Sequence, residues 1–282
     1  MYVYFDIGGT KTRVSISHDQ QTFVEPRKFD TPQDFETLLA MLRETVRELG
    51  GDESIEAVGG GIAGPFDRAR SVLLTAPNLP SAWAGRHVAD ELVGVFGAPV
   101  FIENDSAIVA LGEAYHGAGK GDGIVAYITV STGVGGARIV DGHIDRSVFG
   151  FEPGHQILDI DKTIFPMLHA PDAEGLLSGT ATAKRFGMKA YEVADPAVWE
   201  ELSLLLAHML NNTIVHWSPD SVVLGGSMIV GDPAISVDRV AYHLRKVCTI
   251  FPELPTIKRA TLADMGGIYG AMEFVRQRAN RV

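Results

Sequence analysis

The sequence predicts an α/β protein of two similar halves with a central cleft, and three observations carry that reading. Runs with strand character alternate with runs of helical spacing along most of the chain. A strand, a glycine turn and a returning strand open at Tyr2, and the same arrangement recurs at Gly123. The 282 residues are about twice an ordinary domain, enough for two cores.

The elements follow in order. Residues 2–7 are apolar and rich in β-formers, Gly8-Gly9-Thr10-Lys11 is a turn, and residues 12–16 alternate with period two. Phe35, Leu38, Leu39, Leu42, Val46 and Leu49 recur at helical spacing, with Thr31-Pro32 as the expected cap and Gly50-Gly51 as the stop. Residues 55–62 read as a strand, Val88–Phe96 as an amphipathic helix, and residues 99–102 as a short buried strand ending at Glu103-Asn104-Asp105. A helical run begins at Ala107. The pattern then restarts with a strand over residues 123–131, the turn Thr132-Gly133-Val134-Gly135-Gly136 and a returning strand over residues 137–140. Helical stretches cover residues 173–186 and 198–217, a strand over residues 221–224 ends in Gly225-Gly226, and helices run from Ala234 and from Gly266 to the C-terminus. The expected division is a smaller lobe of residues 1–105, with helix 266–282 packed on it, and a larger lobe of residues 106–265.

Charge narrows the partners. Lys plus Arg is 24 against 35 Asp plus Glu, a formal net charge of −11 with no basic run to offset it, so nucleic acid and anionic membrane are disfavoured. A small phosphorylated ligand remains compatible, because backbone N–H groups and Mg²⁺ hold phosphate without a basic surface. Cys248 is the single cysteine and allows no internal disulfide. The N-terminus lacks the basic and apolar regions of a signal peptide, and no apolar stretch is long enough to span a bilayer, so the expected location is cytoplasmic. A homodimer is left open.

Glycine is in excess, at 31 residues, and its placement matters. Neither glycine turn opens a helix, which a dinucleotide-binding fingerprint requires, and no P-loop pattern occurs. What remains is a pair of turns whose glycines let backbone N–H groups approach an anion, with Asp6 beside one and Thr132 beside the other; tight hairpins with no ligand are the alternative.

Four motifs now stand in order: Asp6-Ile-Gly-Gly-Thr-Lys11; Glu103-Asn-Asp105 followed by Ala110-Leu-Gly-Glu113; Ser131-Thr-Gly-Val-Gly-Gly136; and Glu152-Pro-Gly-His155. Pro77-Asn78-Leu79, Glu174 with Ser178-Gly179, Val223-Leu-Gly-Gly226, and Asp264 with Gly270-Ala271 extend the set. Together they resemble the ROK family of sugar kinases and sugar-sensing repressors over nearly the whole chain. The resemblance implies a duplicated actin-like ATPase (ribonuclease H-like) fold, ATP and Mg²⁺ as cofactors, and a hexose or amino-hexose as substrate.

Moving a phosphoryl group to a sugar hydroxyl needs a base, a cation and donors that align the γ-phosphoryl. Asp105, at a strand end and a helix start, fits the base, and the resemblance makes it the catalytic aspartate; a helix N-cap is its structural alternative. Asn104, Asn78, Glu152, His155 and Glu174 supply the donors and acceptors that vicinal hydroxyls require, and the resemblance places them in the sugar pocket. A turn residue for Asn78, a first-turn helix carboxylate for Glu174 and a structural histidine for His155 are the plainer readings. By resemblance Asp6 holds Mg²⁺, through water, while Gly8, Gly9, Thr10, Thr132, Gly133 and Gly135 face the phosphates and Gly225 and Gly226 the adenosine. Lys11 is either a phosphate contact or a solvated turn lysine.

One departure from the family pattern stands out. Most members follow the Gly-His pair with a cysteine-rich segment that binds structural zinc, and residues 159–173 contain no cysteine, so no structural zinc is expected. Ile157, Ile160, Ile164, Phe165 and Leu168 are the apolar candidates for holding that segment.

The expected activity is ATP-dependent phosphorylation of a hexose hydroxyl, glucokinase-like. Alternatives are a kinase for N-acetylglucosamine, N-acetylmannosamine or fructose, and a non-catalytic sugar-binding regulator on the same scaffold. A DNA-binding repressor is disfavoured, since the Asp6 turn begins five residues into the chain.

Overall fold

The computed structural model describes residues 1–279. The expected helix over residues 266–282 therefore has its last three residues outside the described part. In chain order the elements are β1 (Tyr2–Ile7), β2 (Lys11–Ser17), β3 (Arg27–Asp30), α1 (Phe35–Gly50), β4 (Ala57–Ile62), α2 (Val88–Phe96), β5 (Val100–Asn104) and α3 (Asp105–His116). Then come β6 (Ile124–Val130), β7 (Val134–Val140), β8 (His143–Ile144), α4 (Ala173–Leu177), α5 (Gly179–Phe186) and α6 (Pro196–Trp217). The chain continues with β9 (Ser221–Gly225), α7 (Ser227–Val230), α8 (Val237–Val247), β10 (Thr256–Arg259) and α9 (Gly266–Ala279).

Two compact units result among the described residues: residues 1–116, 146–150 and 264–279, and residues 117–145 and 151–263. The division falls after His116, where the sequence reading divides the chain after Asp105. The reason is α3, whose buried face carries Ala107, Ile108, Ala110, Leu111 and Gly112 and packs on α9 and β4. Both helices are pared down where they cross: a Cβ on Gly270 would lie 1.8 Å from the Ile108 carbonyl oxygen, and one on Gly112 would lie 2.4 Å from that of Gly266.

The first unit has a five-stranded sheet in the order β3-β2-β1-β4-β5. The β1–β2 and β2–β3 pairs are antiparallel and the β1–β4 and β4–β5 pairs parallel, so β1, β4 and β5 end at the same edge. The second unit repeats the scheme, read as β8-β7-β6-β9-β10, with β6 in the place of β1. Val3, Phe5, Val14, Ile16, Leu38, Leu42, Ile62 and Ile102 are buried in the first core, and Ala126, Ile128, Val130, Leu206, Leu210, Val222 and Leu224 in the second.

Several expectations shift on inspection. Asp34, not Thr31, caps α1 by accepting the Thr37 N–H, while the Thr31 hydroxyl donates to the Gly8 carbonyl and fastens the glycine turn. The strand expected over residues 55–62 starts at Ala57. The helical stretch expected over residues 173–186 is broken at Ser178, which caps α5. Of the five apolar residues expected to hold the segment after His155, Phe165 and Leu168 are buried, whereas Ile157, Ile160 and Ile164 are exposed. A polar device does the rest: Asp159 accepts from the Ile164 N–H and the Thr163 hydroxyl, and the Arg185 guanidinium lies 3.8 Å from the Phe165 ring centre. No described helix is long and apolar enough to cross a membrane.

Candidate functional site

In the first unit the predicted residues collect at the carboxyl edge of the sheet, where ligands of open α/β sheets sit. Asp6 lies near the end of β1, level with Gly61 of β4, and Gly61 is level with Glu103 of β5. Gly61 is bare for a reason: its Cβ would come within 2.8 Å of the Asp105 Cα. The β1–β2 turn is closed by the Gly8 N–H donating to the Lys11 carbonyl, and no hydrogen bond among the described residues engages the N–H of Gly9 or Thr10. Asn78 packs on that turn, since a Cβ on Gly9 would lie 1.9 Å from the Asn78 carbonyl oxygen. The Lys11 ammonium pairs with Asp30, its cross-strand neighbour.

The N-cap of α3 is Asn104, whose Oδ1 accepts from the N–H groups of Ser106 and Ala107 while its Nδ2 donates to the Gly64 carbonyl. Asp105 is thereby spared that duty. Its Oδ1 accepts the Ser106 N–H at 2.8 Å and the Ser106 hydroxyl at 3.4 Å. Burial pushes the Asp105 carboxyl above the ordinary aspartate range. Asp6 is raised to about 7, by burial first and then by the charge of Asp105, with Arg13 pulling the other way.

Two partners of Asp6 escaped the sequence reading. Arg13 lies 3.5 Å from Asp6 and 2.6 Å from Asp264, and Lys28 reaches the same Asp264 oxygen at 2.9 Å. A signal existed: with a turn at Gly8 to Thr10, the hairpin register sets Arg13 opposite Asp6. The second is Gly267, in the first turn of α9, whose Cβ would stand 2.5 Å from the Asp6 Cγ.

In the second unit the predicted residues surround the β6–β7 turn. The Thr132 carbonyl accepts from the Thr180 hydroxyl at 2.8 Å, and the Ser131 carbonyl from the Gly179 N–H at 2.7 Å. No hydrogen bond among the described residues engages the N–H of Thr132 or Gly133. Gly135 lies in β7 opposite Thr129. Gly225 ends β9 and Gly226 follows with φ +86°, a conformation suited to glycine; its Cβ would meet the Val130 carbonyl at 2.3 Å. Glu152 precedes a short turn of 3₁₀-helix in which Gly154 is pressed on the Val134 carbonyl. Glu174, in the first turn of α4, accepts the Val134 N–H at 2.8 Å with one oxygen. His155 is more than half exposed and bonds through Nδ1 to Asp172 at 3.1 Å, a contact that raises its pKa.

Among the described residues no group of three or more His, Cys, Asp or Glu side chains is gathered as a metal cage. A cavity of about 530 Å³ elsewhere in the second unit, lined in part by Ile157, Ile164, Leu204 and His208, contains none of the predicted site residues.

Residues 2–278 match the sequence model of the ROK family. The chain is 24% identical to a fructokinase of Lactococcus lactis subsp. cremoris, with 95% of this chain and 97% of that one aligned. Among solved structures it is similar to the ROK hexokinase of Thermus thermophilus, with 25% identity, TM-score 0.80 and coverage of 100% of this chain and 99% of that one. A ROK glucokinase of Streptomyces griseus, solved with glucose and AMPPNP, shares the fold at 24% identity and TM-score 0.81, with 98% and 99% covered. Its fold is the actin-like ATPase fold that the repeated sheet order displays.

Proposed function

The chain belongs to the ROK family, and on that footing we propose that it transfers the γ-phosphoryl group of ATP to a hydroxyl of a hexose, with Asp105 as the base. The observation that carries the reading is a pair of largely buried carboxylates, Asp6 and Asp105, at the carboxyl edge of one sheet beside a glycine turn with unengaged amides.

Each residue has a role. The Gly9 and Thr10 amides, and those of Thr132 and Gly133, present N–H groups suited to phosphate oxygens, and Gly225-Gly226 offers a bare backbone surface for the adenosine. Asn78, Asn104, Glu152, His155 and Glu174 orient the sugar. Asn104 and Glu174 already hold backbone groups, so each offers the sugar only its remaining hydrogen-bonding capacity. Asp105 takes the proton of the attacking hydroxyl on Oδ2 while the hydroxyl oxygen bonds to the γ-phosphorus and the bond from that phosphorus to the ADP oxygen breaks. Burial raises its pKa above the ordinary aspartate value, which makes its carboxylate a stronger proton acceptor.

The donor set fits Mg²⁺. Asp6 is a buried carboxylate among Asp105 and Asp264, with Arg13 as partial compensation, and a cation would relieve that excess of negative charge. With no cage of three ligands gathered among the described residues, Asp6 would hold the ion together with water and phosphate oxygens. Bound there, the ion supplies neutralisation of charge on the transferring phosphoryl group.

The experiment is a coupled assay of ADP release across a sugar panel that includes glucose, fructose, mannose, N-acetylglucosamine and N-acetylmannosamine, omitting sugar and ATP in turn. ADP release that requires one sugar supports the reading; sugar-independent release or none at all overturns it.

A further inference from the structure

We propose that Arg70 is a positioning residue for the sugar, tying the end of β5 to the run of residues 146–150 that leads into Glu152. The inference rests on the sugar-kinase reading above and adds to it a residue outside the family motifs.

Arg70 has φ +56°, in the left-handed region that a long side chain rarely occupies. Residues persist there when surrounding contacts hold them, and such outliers point toward function. Here the contacts are specific. Nε donates to Glu103 Oε2 at 2.8 Å, Nη2 to the Ser147 hydroxyl at 3.2 Å, and Nη1 to the carbonyls of Asp67 and Val148, each at 3.2 Å. The guanidinium is mostly buried, and the Glu103 carboxylate is 8% exposed. A carboxylate so placed needs a partner, and a planar fork of donors satisfies it while reaching three other oxygens, which a lysine cannot do.

Both ends of this bridge lie next to residues proposed to touch the sugar. The other oxygen of Glu103 accepts the Asn104 N–H at 3.0 Å, so Arg70 and Glu103 together fix the peptide between the strand and Asp105. At the other end, residues 146–150 have no helix or strand of their own, and Val148 and Phe149 expose much of their side chains. This run belongs to the first unit although the residues on both sides belong to the second. One residue, Phe151, separates it from Glu152. Glu152 follows this run directly after Phe151, so loss of the hold on Ser147 and Val148 should weaken sugar recognition while leaving the glycine turns intact.

The test uses Arg70→Gly, which suits the backbone conformation, Arg70→Gly with Glu103→Gln, which leaves no unpaired buried charge, and Arg70→Lys, the mildest change. Hydrogen exchange in the protein without ligands reads the anchor, and should speed up about tenfold across residues 146–150 in the glycine variants and less in the lysine variant. Sugar affinity from thermal shifts and the KM for sugar should worsen about tenfold with glycine and about threefold with lysine. The KM for ATP should stay within twofold and kcat within threefold. Unchanged exchange overturns the anchor. Faster exchange with unchanged sugar affinity, or an equal loss for ATP, overturns the positioning role. If the wild type neither binds nor phosphorylates any sugar, the sugar-kinase reading fails, and the positioning role with it. Should the glycine variants fail to fold, the lysine variant decides on the same measurements.

Discussion

At the scale of single residues, Asp105 and Asp6 differ in what a neutral amide does to them. Asp105→Asn keeps the shape and removes the base, so kcat should fall by 10²–10⁴ with sugar affinity and melting temperature retained, measured by steady-state kinetics and thermal denaturation. A variant with more than about a tenth of the wild-type kcat would take Asp105 out of the chemistry. Asp6→Asn should abolish Mg²⁺-dependent turnover and also stabilise the ligand-free protein. The sign follows from the folded pKa of about 7, raised above the ordinary aspartate value near 4. Stability that the protonated carboxyl contributes is present below pH 4 and is lost as pH rises through 7, because the folded protein must then carry a buried charge. The amide escapes that loss, so the variant should gain roughly 1–3 kcal/mol over wild type at pH 8. The gain should vanish near pH 4, and denaturant melts at both pH values check this. The place of Asp105, between a strand and a helix, was legible in the sequence because an apolar β-rich run ends just before it and a helical run begins just after it. Its cap alternative could be settled only by coordinates, which give that task to Asn104. Arg70 left no trace in sequence, since its partners lie 33 and 77 residues away.

At the scale of elements, periodicity revealed what was amphipathic and missed what was held by a neighbour. α1, α2, β1 and β6 carry their own pattern and stand close to where the sequence put them. β3 reads Arg-Lys-Phe-Asp and β10 Thr-Ile-Lys-Arg; neither alternates, and each exists because an adjacent strand supplies its ladder at a sheet edge. The α3–α9 crossing was equally hidden, although its glycines were visible. Gly270→Ala should therefore be costly: its methyl group would overlap the Ile108 carbonyl in the middle of the contact, and overpacking of this kind typically costs about 1–3 kcal/mol or more. Urea denaturation should show the loss, whereas Gly94→Ala in α2, where a Cβ meets nothing within 4 Å, should be neutral or stabilising. The segment after His155 tests a different element. With Asp159, Phe165 and Arg185 holding it, EDTA followed by excess Mg²⁺ should leave activity unchanged, and elemental analysis should find well under one zinc per chain. Stoichiometric zinc in protein purified without added metal would mean that His155 has ligands and is not available to a sugar.

At the scale of the whole molecule, the duplicated hairpin was readable because glycine turns are local signals, and the matching sheet orders show that the repetition extends through all five strands of each unit. Sugar identity was not readable, because discrimination among hexoses depends on a few hydrogen bonds worth a few kcal/mol, set by side-chain placement and not by motif spacing. Ligand-linked stability converts that placement into a measurement on the intact chain. A sugar that binds only the folded protein adds about 2.7 kcal/mol at 100 times its Kd. Unfolding entropy near 2.1 cal/mol/K per residue, taken over 282 residues, turns this into a rise in Tm of about 4–5 °C. The substrate should produce that rise without ATP, and its epimers should produce much less, since each misplaced hydroxyl leaves a buried polar group unpaired. The ranking of sugars by Tm should match their ranking by kcat/KM. A panel in which no hexose or amino-hexose raises the Tm would remove Asn78, Asn104, Glu152, His155 and Glu174 from the sugar pocket together.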